Sequence, residues 1–180
     1  LGINAIARFA KAFGLGERLG IDLPGEKTGL VPDPEWKKTA EPGDPLWRIG
    51  DTYHVAIGQG GVKTTPLQMA SLTAAIANGG TLWRPYLMEA RYDSEGNLME
   101  RMPPTAIRTD LADDASLEIV RRGMRETVAR GTARMLRSVP VPVAAKTPPR
   151  NPAPQGGGAN MWHLRHPSPT WRLSKTMIGI

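Results

Sequence analysis

Serine and lysine are the side chains whose spacing decides whether this chain could perform nucleophilic catalysis. A serine nucleophile needs an adjacent base, and the Ser-x-x-Lys motif supplies one. The six serines stand at positions 71, 94, 116, 138, 168 and 174, and none has a lysine three residues later. None has an asparagine or aspartate two residues later, which excludes a second motif, Ser-x-Asn or Ser-x-Asp. The 180 residues therefore hold neither a serine nucleophile with its base nor the second motif.

A third motif of the same chemistry, Lys-Thr-Gly, has two candidates in the chain. Lys27-Thr28-Gly29 is complete, but it lies in a loop rich in proline and glycine, and we predict a structural role for it. Lys146-Thr147 follows a predicted helix, a turn and the valine-rich run 141–145, which predicts a strand. Pro148 stands where the glycine is needed, and proline offers neither the glycine's space nor a backbone N–H. Lys146 and Thr147 are candidate catalytic residues, as the remnant of a broken motif.

Helices alternate with extended segments along the chain, which predicts a mixed α/β (α+β) fold. Apolar residues at helical spacing over residues 1–13, with Phe9 on the buried face, predict a first helix that Gly14 ends. Residues 21–38 contain three prolines and two glycines with little periodicity, and we predict an ordered loop there.

The clearest local signal is Thr65-Pro66-Leu67-Gln68, which combines an N-cap, a proline at the first helical position and a capping-box glutamine. The helix it starts ends at 78–80, and a hairpin with its turn at 93–97 follows. Asp113 or Asp114 caps a further helix, ahead of a turn at 131–133. The residues predicted to face inward are Leu67, Ala70, Ala74 and Ala77 in the earlier helix and Leu117, Val120, Met124 and Val128 in the later one.

Composition sets only broad limits on function. The 180 residues, 40% of them hydrophobic, suffice for one domain or part of one. The absence of cysteine excludes disulfides and thiolate metal sites, but leaves the redox compartment open. No apolar run approaches the roughly 20 residues that cross a bilayer. Because Leu1 is not an initiator methionine, we expect the beginning of a longer protein, with any membrane anchor, to be missing from this sequence.

A series of ordered motifs resembles the penicillin-binding transpeptidases, and most of all the elongation-type class B enzymes. The motifs are Gly14-Leu15-Gly16, the run 20–32, Trp36-Lys37, Gly50-Asp51-Thr52, Ala56-Ile57-Gly58-Gln59-Gly60 and Thr65-Pro66-Leu67-Gln68-Met69-Ala70. The resemblance covers about residues 1–147. It implies part of a penicillin-binding, β-lactamase-like serine transpeptidase domain, with an incomplete antiparallel sheet and helices. Residues 148–180 are then an aberrant tail rich in proline and arginine.

The resemblance implies a peptidoglycan D,D-transpeptidase that crosslinks the wall during elongation. Such an enzyme transfers an acyl group from a D-alanyl-D-alanine stem peptide to its serine and then to a neighbouring amine, and β-lactams acylate the same serine. Lysine and threonine at the positions of Lys146 and Thr147 hold the substrate carboxylate. Elongation-complex membrane proteins are the implied partners, the periplasmic face of the cytoplasmic membrane is the implied location, and neither cofactor nor metal is implied. Because the nucleophile and its base are absent, we expect this fragment to be inactive. Because the sheet is incomplete, we also expect it to expose strand edges.

A frameshift in the codon after Thr147 would explain the tail. Relatives continue Lys-Thr-Gly with Thr-Ala-Glu or Thr-Ala-Gln, and the codons possible for residues 148–151 permit that triplet in another reading frame. The tail has four basic residues and no acidic ones, so it carries four of the six net positive charges. A natural extension that stays solvated is the alternative.

Other function classes stay open at this point. The chain could be a non-catalytic basic module for nucleic acid or wall polymer, although the interspersed charges before the tail favour no nucleic-acid partner. A second chain could supply the missing half of the domain. His54 is isolated among apolar neighbours, which is weak support for a metal site. The glycines of 58–61 lack the Gly-Lys-Ser/Thr ending of a phosphate loop.

Overall fold

The computed structural model describes residues 2–147, so the predicted tail and Pro148 lie outside the described residues. The helices are α1 (Ile3–Ala12), α2 (Pro34–Ala40), α3 (Ile49–Ala56), α4 (Pro66–Ala77) and α5 (Asp114–Ala129), followed by a 3₁₀ helix (Arg134–Ser138). The strands are β1 (Leu82–Trp83), β2 (Ala90–Tyr92), β3 (Leu98–Arg101) and β4 (Ala106–Arg108). Helices with antiparallel strands confirm the predicted fold class.

Helix α1 forms and ends as its sequence predicts. Gly14 has φ +87°, a left-handed conformation that glycine adopts without strain, and its N–H donates to the Lys11 carbonyl. Ile3 and Ala7 are buried, but Phe9 is 46% exposed, so its assignment to the buried face was wrong. Phe9 instead lines an open apolar cavity of about 240 Å³ between α1, α4 and α5.

Helix α2 begins inside residues 21–38, which were predicted to be loop throughout, and ends beyond them at Ala40. Asp33 caps it by accepting a hydrogen bond from the Trp36 N–H at 2.9 Å, and Pro34 occupies the first turn. This is the same combination of cap and proline that marks the start of α4, so the signal was present but the surrounding prolines and glycines obscured it. The short helix α3 was also not predicted.

Helix α4 begins as predicted but presents a different face. The Gln68 N–H donates to Thr65 Oγ1 at 3.1 Å, and the Thr65 N–H donates to Gln68 Oε1 at 3.0 Å, which confirms the capping box. Gln68 and Ala75 are the buried residues, whereas Ala70, Ala74 and Ala77 are exposed. The prediction for these alanines was wrong because Gln68 is hydrogen-bonded inward, which turns the alanines to the opposite side of the helix.

The strands form two separate antiparallel ladders. Strands β2 and β3 make the predicted hairpin, with Ala90 opposite Arg101 and a turn in which Asp93 accepts from the Asn97 N–H. Strand β1 pairs with β4, which was not predicted, and Leu82 lies opposite Arg108. Along the chain, the β2–β3 hairpin therefore lies between the paired strands β1 and β4.

Helix α5 is capped by Asp113, which accepts from the Ser116 N–H at 2.8 Å. Leu117 and Val128 are buried as predicted, whereas Val120 is 43% exposed and was wrongly assigned to the core. The predicted turn at 131–133 follows and leads into the 3₁₀ helix. Leu82 of β1 and Leu117 of α5 are almost completely buried, and both elements pack against α4.

Candidate active site

The segment 141–147 holds the candidate residues Lys146 and Thr147, but it is not a strand within the described residues. Val143, Ala145 and Thr147 are half-buried, while Ala144 and Lys146 are exposed, so burial alternates as in a strand. A strand also needs a neighbour whose backbone completes the ladder. Strands β1 and β4 pair with each other, and no ladder partner for 141–147 lies within residues 2–147. The predicted strand is therefore absent from this part of the chain.

Two contacts fix this segment against α5 and the turn that follows it. The Ala145 N–H donates to the Met124 carbonyl at 3.0 Å. The Thr132 and Thr147 hydroxyl oxygens lie 2.8 Å apart and share a hydrogen bond. Sequence reasoning treated Thr132 only as a turn residue. The sole signal for its second role was the position of that turn just before the Lys-Thr pair.

Lys146 and Thr147 place an ammonium and a hydroxyl at neighbouring positions of the chain. Lys146 is exposed, and its Nζ donates to the Thr147 carbonyl at 2.7 Å. An exposed ammonium next to a hydroxyl can bind a carboxylate through charge-assisted hydrogen bonds. Within residues 2–147 no serine is hydrogen-bonded to either side chain, and the Ser116 and Ser138 hydroxyls donate to Asp113 and Met135. This pair can bind an anion but contributes no nucleophile.

The complete motif Lys27-Thr28-Gly29 lies against the start of α4. The Thr28 carbonyl accepts from Gln68 Nε2 at 2.7 Å. Gly29 has φ +65°, and a Cβ atom there would collide with the Lys63 carbonyl oxygen and lie 2.9 Å from Gln68 Oε1. These contacts support the predicted structural role for this motif.

Gln68 connects this loop to α4. It is fully buried, and its Nε2 donates to both the Glu17 and Thr28 carbonyls at 2.7 Å. Its Oε1 meanwhile accepts from the Thr65 N–H, so both ends of the amide are satisfied. One side chain therefore caps a helix and holds two distant loop segments together.

Two carboxylates in the same motif region accept backbone hydrogen bonds. Glu26 accepts from the Leu19 and Gly20 N–H groups at 2.6 and 2.9 Å. Asp22 accepts from the Leu87 and Met88 N–H groups, both at 2.8 Å. The N–H donors of Met88 and Leu87 lower the pKa of Asp22, so this carboxylate stays charged and is not suited to act as a base near neutral pH.

Lys37 joins two of the motifs through charge. Its side chain is 5% exposed, and Nζ lies 2.7 Å from Asp51, 3.7 Å from Asp44 and 3.9 Å from Glu41. The hydrogen bond to Asp51 raises the pKa of Lys37, while the Arg48 N–H and then Lys37 lower the pKa of Asp51. A lysine held charged in this way cannot act as a base, so this cluster is structural.

The remaining weak candidates have local structural contacts. The Gly58 and Gln59 N–H groups donate to the Val55 and His54 carbonyls at the end of α3, so these amides are not directed at a phosphate. Trp47 Nε1 donates to Thr52 Oγ1 at 2.9 Å, so this side chain anchors the loop that precedes α3. Within residues 2–147 no group of three potential metal ligands occurs.

Comparison with known proteins gives matches over most of the chain. Residues 1–162 match the family described as the penicillin binding protein transpeptidase domain. Peptidoglycan D,D-transpeptidase MrdA of Acinetobacter baumannii is 33% identical over 147 residues, which cover 82% of this chain and 21% of that protein.

Solved structures show the same fold. PBP2 of Helicobacter pylori, in complex with MreC, has a TM-score of 0.62 and 29% identity, covering 80% of this chain and 25% of that one. PBP2 of Pseudomonas aeruginosa, in complex with WCK 5153, has a TM-score of 0.59 and 34% identity, covering 77% and 31%. The chain spans between 19% and 24% of the length of the first curated relatives that it matches.

Proposed function

The chain belongs to the penicillin-binding transpeptidase family, and we propose that it is part of a peptidoglycan D,D-transpeptidase that acts in elongation. The observation that carries this proposal is that the family's motifs form local hydrogen-bonded and ion-paired clusters. Gln68, Lys37 and the carboxylates of Asp22 and Glu26 are the central residues of these clusters. Lys146 and Thr147 lie on a segment that is hydrogen-bonded to α5 and to the turn after it.

The proposed reaction is acyl transfer between stem peptides. A serine oxygen, deprotonated by its base, attacks the carbonyl of the penultimate D-alanine, and the peptide bond breaks as the terminal D-alanine takes up that proton and leaves. The amine of a second stem then attacks the acyl-serine ester, and its proton returns to the serine oxygen as the ester bond breaks. Lys146 and Thr147 bind the terminal carboxylate of the donor stem. The serine and its base must come from residues outside these 180, so the chain as written does not catalyse either step.

We propose that the reading frame shared with the relatives ends just before Pro148. A proline at this point removes the backbone N–H that the third motif would present to a substrate. The family match continues to residue 162, and the boundary at 147 stays a prediction. We attribute residues 148–180 to a frameshift, which the nucleotide sequence can test.

The proposed location is the periplasmic face of the cytoplasmic membrane, with membrane proteins of the elongation complex as partners. The H. pylori PBP2 structure, solved as a complex with MreC, supports a protein partner of that kind. Among residues 2–147, none of the helices combines the length and apolarity needed to span a bilayer.

Resequencing the locus, followed by labelling with fluorescent penicillin, tests this proposal. We expect the 180-residue chain to take up no label. The full-length product of the corrected gene should be labelled covalently, and replacement of its Ser-x-x-Lys serine by alanine should abolish labelling. Label on the 180-residue chain would contradict its inactivity, and a corrected full-length product that takes up no label would contradict the transpeptidase assignment.

A further inference from the structure

Positive charge is concentrated on one stretch of the described chain. Residues 121–137 contain six arginines and a single acidic residue, Glu126, whereas the other residues from 1 to 147 have more acidic than basic side chains. The six arginines are Arg121, Arg122, Arg125, Arg130, Arg134 and Arg137. This stretch forms the second half of α5, the following turn and most of the 3₁₀ helix. The charge is therefore not evenly interspersed here, unlike the expectation for the chain before its tail.

Local contacts hold part of this charge in place. Arg134 Nε and Nη2 donate to the Arg130 carbonyl at 3.1 and 2.8 Å, and Arg137 Nε donates to the Val128 carbonyl at 3.3 Å. Both guanidinium groups thus lie at the C-terminal end of α5, where the helix dipole favours cations. Arg130 pairs with Glu126 at 2.6 Å, but its side chain stays 80% exposed.

Two arginines have no such local contact. Arg122 and Arg125 are exposed, and within residues 2–147 neither makes an ion pair or a side-chain hydrogen bond. A free guanidinium offers five N–H donors in a planar fork that matches a carboxylate. These two side chains are the ones most available to a ligand.

The arginines are neighbours in sequence of two residues that contact the segment of the candidate active site. Thr132, which bonds to the Thr147 hydroxyl, lies between Arg130 and Arg134 in the turn. The Met124 carbonyl that accepts from the Ala145 N–H belongs to the residue before Arg125. The helix and turn that hold the segment of Thr147 therefore also carry these arginines.

We propose that the arginine surface, defined as Arg122, Arg125 and Arg130, binds carboxylates of the stem peptides on a peptidoglycan strand. This inference rests on the proposed function, because an uncrosslinked strand repeats carboxylate-bearing peptides along its length. One stem occupies the Lys146-Thr147 site, and carboxylates of the same or a neighbouring stem pair with the guanidinium groups. Such pairs add to strand binding without taking part in acyl transfer.

The surroundings of the surface favour carboxylates over nucleic acid. No aromatic residue occurs between Tyr92 and Trp162, so α5 and the 3₁₀ helix provide no platform on which bases could stack. Arg134 and Arg137 are also folded back onto the helix end, which leaves few cations in a row to follow a phosphate backbone.

Fluorescence anisotropy with the whole 180-residue chain tests the inference. The probe is a labelled, uncrosslinked glycan strand whose stems keep their free carboxylates, and the comparison probe is the same strand with those carboxylates amidated. We expect the first probe to bind better and to weaken as salt rises, because exposed ion pairs are screened. R122Q/R125Q should bind it about fivefold less tightly, as expected for two exposed ion pairs.

Three controls separate this site from general charge. R8Q/R101Q removes two exposed arginines elsewhere, and R150Q/R165Q/R172Q/K175Q removes the charge of residues 148–180; both should bind as the parent chain does. Binding should disappear in urea, which unfolds α5 but leaves every charge in place. Binding that persists in urea overturns the inference, since the site would not then depend on the fold.

The remaining outcomes distinguish this inference from the proposed function. Equal binding of the amidated strand, or tighter binding of double-stranded DNA, overturns the carboxylate assignment. Binding that is lost in T147V but unchanged in R122Q/R125Q overturns the arginine surface and leaves the transpeptidase assignment intact. Failure of both probes to bind also overturns the surface, while penicillin labelling of the corrected full-length protein decides the function separately.

Discussion

Gly29 explains why Lys27-Thr28-Gly29, which looks like a catalytic motif, has a structural role. Its positive φ and the absence of a Cβ let Thr28 and Leu30 reach Gln68 and Lys63 at the same time. The Lys-Thr-Gly triplet of residues 27–29 is thus explained by backbone geometry and helix capping. No substrate contact is needed to account for it.

Replacing Gly29 by alanine should be far more destabilising than the same change at Gly25. Both glycines have positive φ, which costs alanine about 1 kcal/mol. A Cβ at 25 meets nothing within 4 Å, whereas one at 29 meets Lys63 and Gln68. We expect G29A to lower the free energy of unfolding by about 3 kcal/mol in total. Urea denaturation of both variants at low protein concentration measures the difference, and equal losses would refute the packing explanation.

Asp51 should give the fold a specific sensitivity to acid. Its folded-state pKa lies below the ordinary value of 3.8, because the Arg48 N–H and Lys37 stabilise its charged form. The stabilisation is therefore complete above that ordinary value and is lost as pH falls through the lower, folded-state pKa. D51N should make the decline in stability below about pH 4 shallower.

The matched control for D51N is D110N, since Asp110 makes no ion pair within residues 2–147. Thermal unfolding midpoints between pH 2 and pH 6 report the effect. The raised pKa of Lys37 affects stability at alkaline pH instead. Its stabilising contribution is present below pH 10.5 and is lost as pH rises through the higher folded-state pKa. An acid limb identical in D51N and the parent chain would contradict the role given to Asp51.

At the scale of elements, α2 depends on a cap that a sequence can reveal. D33A removes the acceptor for the Trp36 N–H and should destabilise the fold by about 1 kcal/mol. D33N keeps an acceptor oxygen and should cost only a few tenths of a kcal/mol, although it also removes the 3.5 Å pair with Lys11. Chemical denaturation compares the two variants. If D33N were as destabilising as D33A, the ion pair rather than the cap would be the important contact.

The elements also show how far local sequence determines structure. The caps of α4 and α5 and the turn of the hairpin were predictable, because each depends on residues within a few positions of one another. The face of α4 was not, since Gln68 reaches Glu17 and Thr28, which are 51 and 40 residues away in sequence. The strand expected at 141–147 failed for a similar reason, because a ladder depends on a partner elsewhere.

The candidate site was also only partly predictable from the sequence. Lys146 and Thr147 were identifiable from their types and their place after the turn. The bond from Thr132 to Thr147 joins side chains 15 residues apart, and no local pattern in the sequence specifies it. The arginine surface was missed in the sequence, where the charges before the tail were taken as interspersed, although six arginines fall within residues 121–137.

At the scale of the whole molecule, the described residues expose large apolar side chains in a pattern. Ile49, Tyr53 and Ile57 recur every four residues along α3 and its end, with exposed fractions of 71%, 62% and 52%. Residues at this spacing lie on one side of a helix, so they form a continuous apolar stripe. A stripe of this kind on a free surface favours self-association.

The isolated chain should therefore self-associate, and I49Q/Y53Q/I57Q should reduce this more than a scattered triple variant. The scattered control, L87Q/M99Q/M135Q, removes three exposed apolar side chains from the loop after β1, from β3 and from the 3₁₀ helix. Sedimentation velocity over a range of concentrations measures the association, and binding of a hydrophobic dye reports the exposed surface. Equal effects of the two triple variants would show that total apolar exposure, not the stripe, controls association.

The structural contacts of the motif residues have a consequence for how transpeptidase genes lose their function during evolution. The side chains that make the motifs recognisable, such as Asp22, Glu26, Lys37 and Gln68, satisfy backbone groups or buried charge in this chain. A gene would therefore lose these residues when its product no longer folds, rather than when its product no longer catalyses a reaction. A transpeptidase sequence that has ceased to function can therefore keep its recognisable signature as long as its product still folds, and a search keyed to these motifs detects descent before it detects activity.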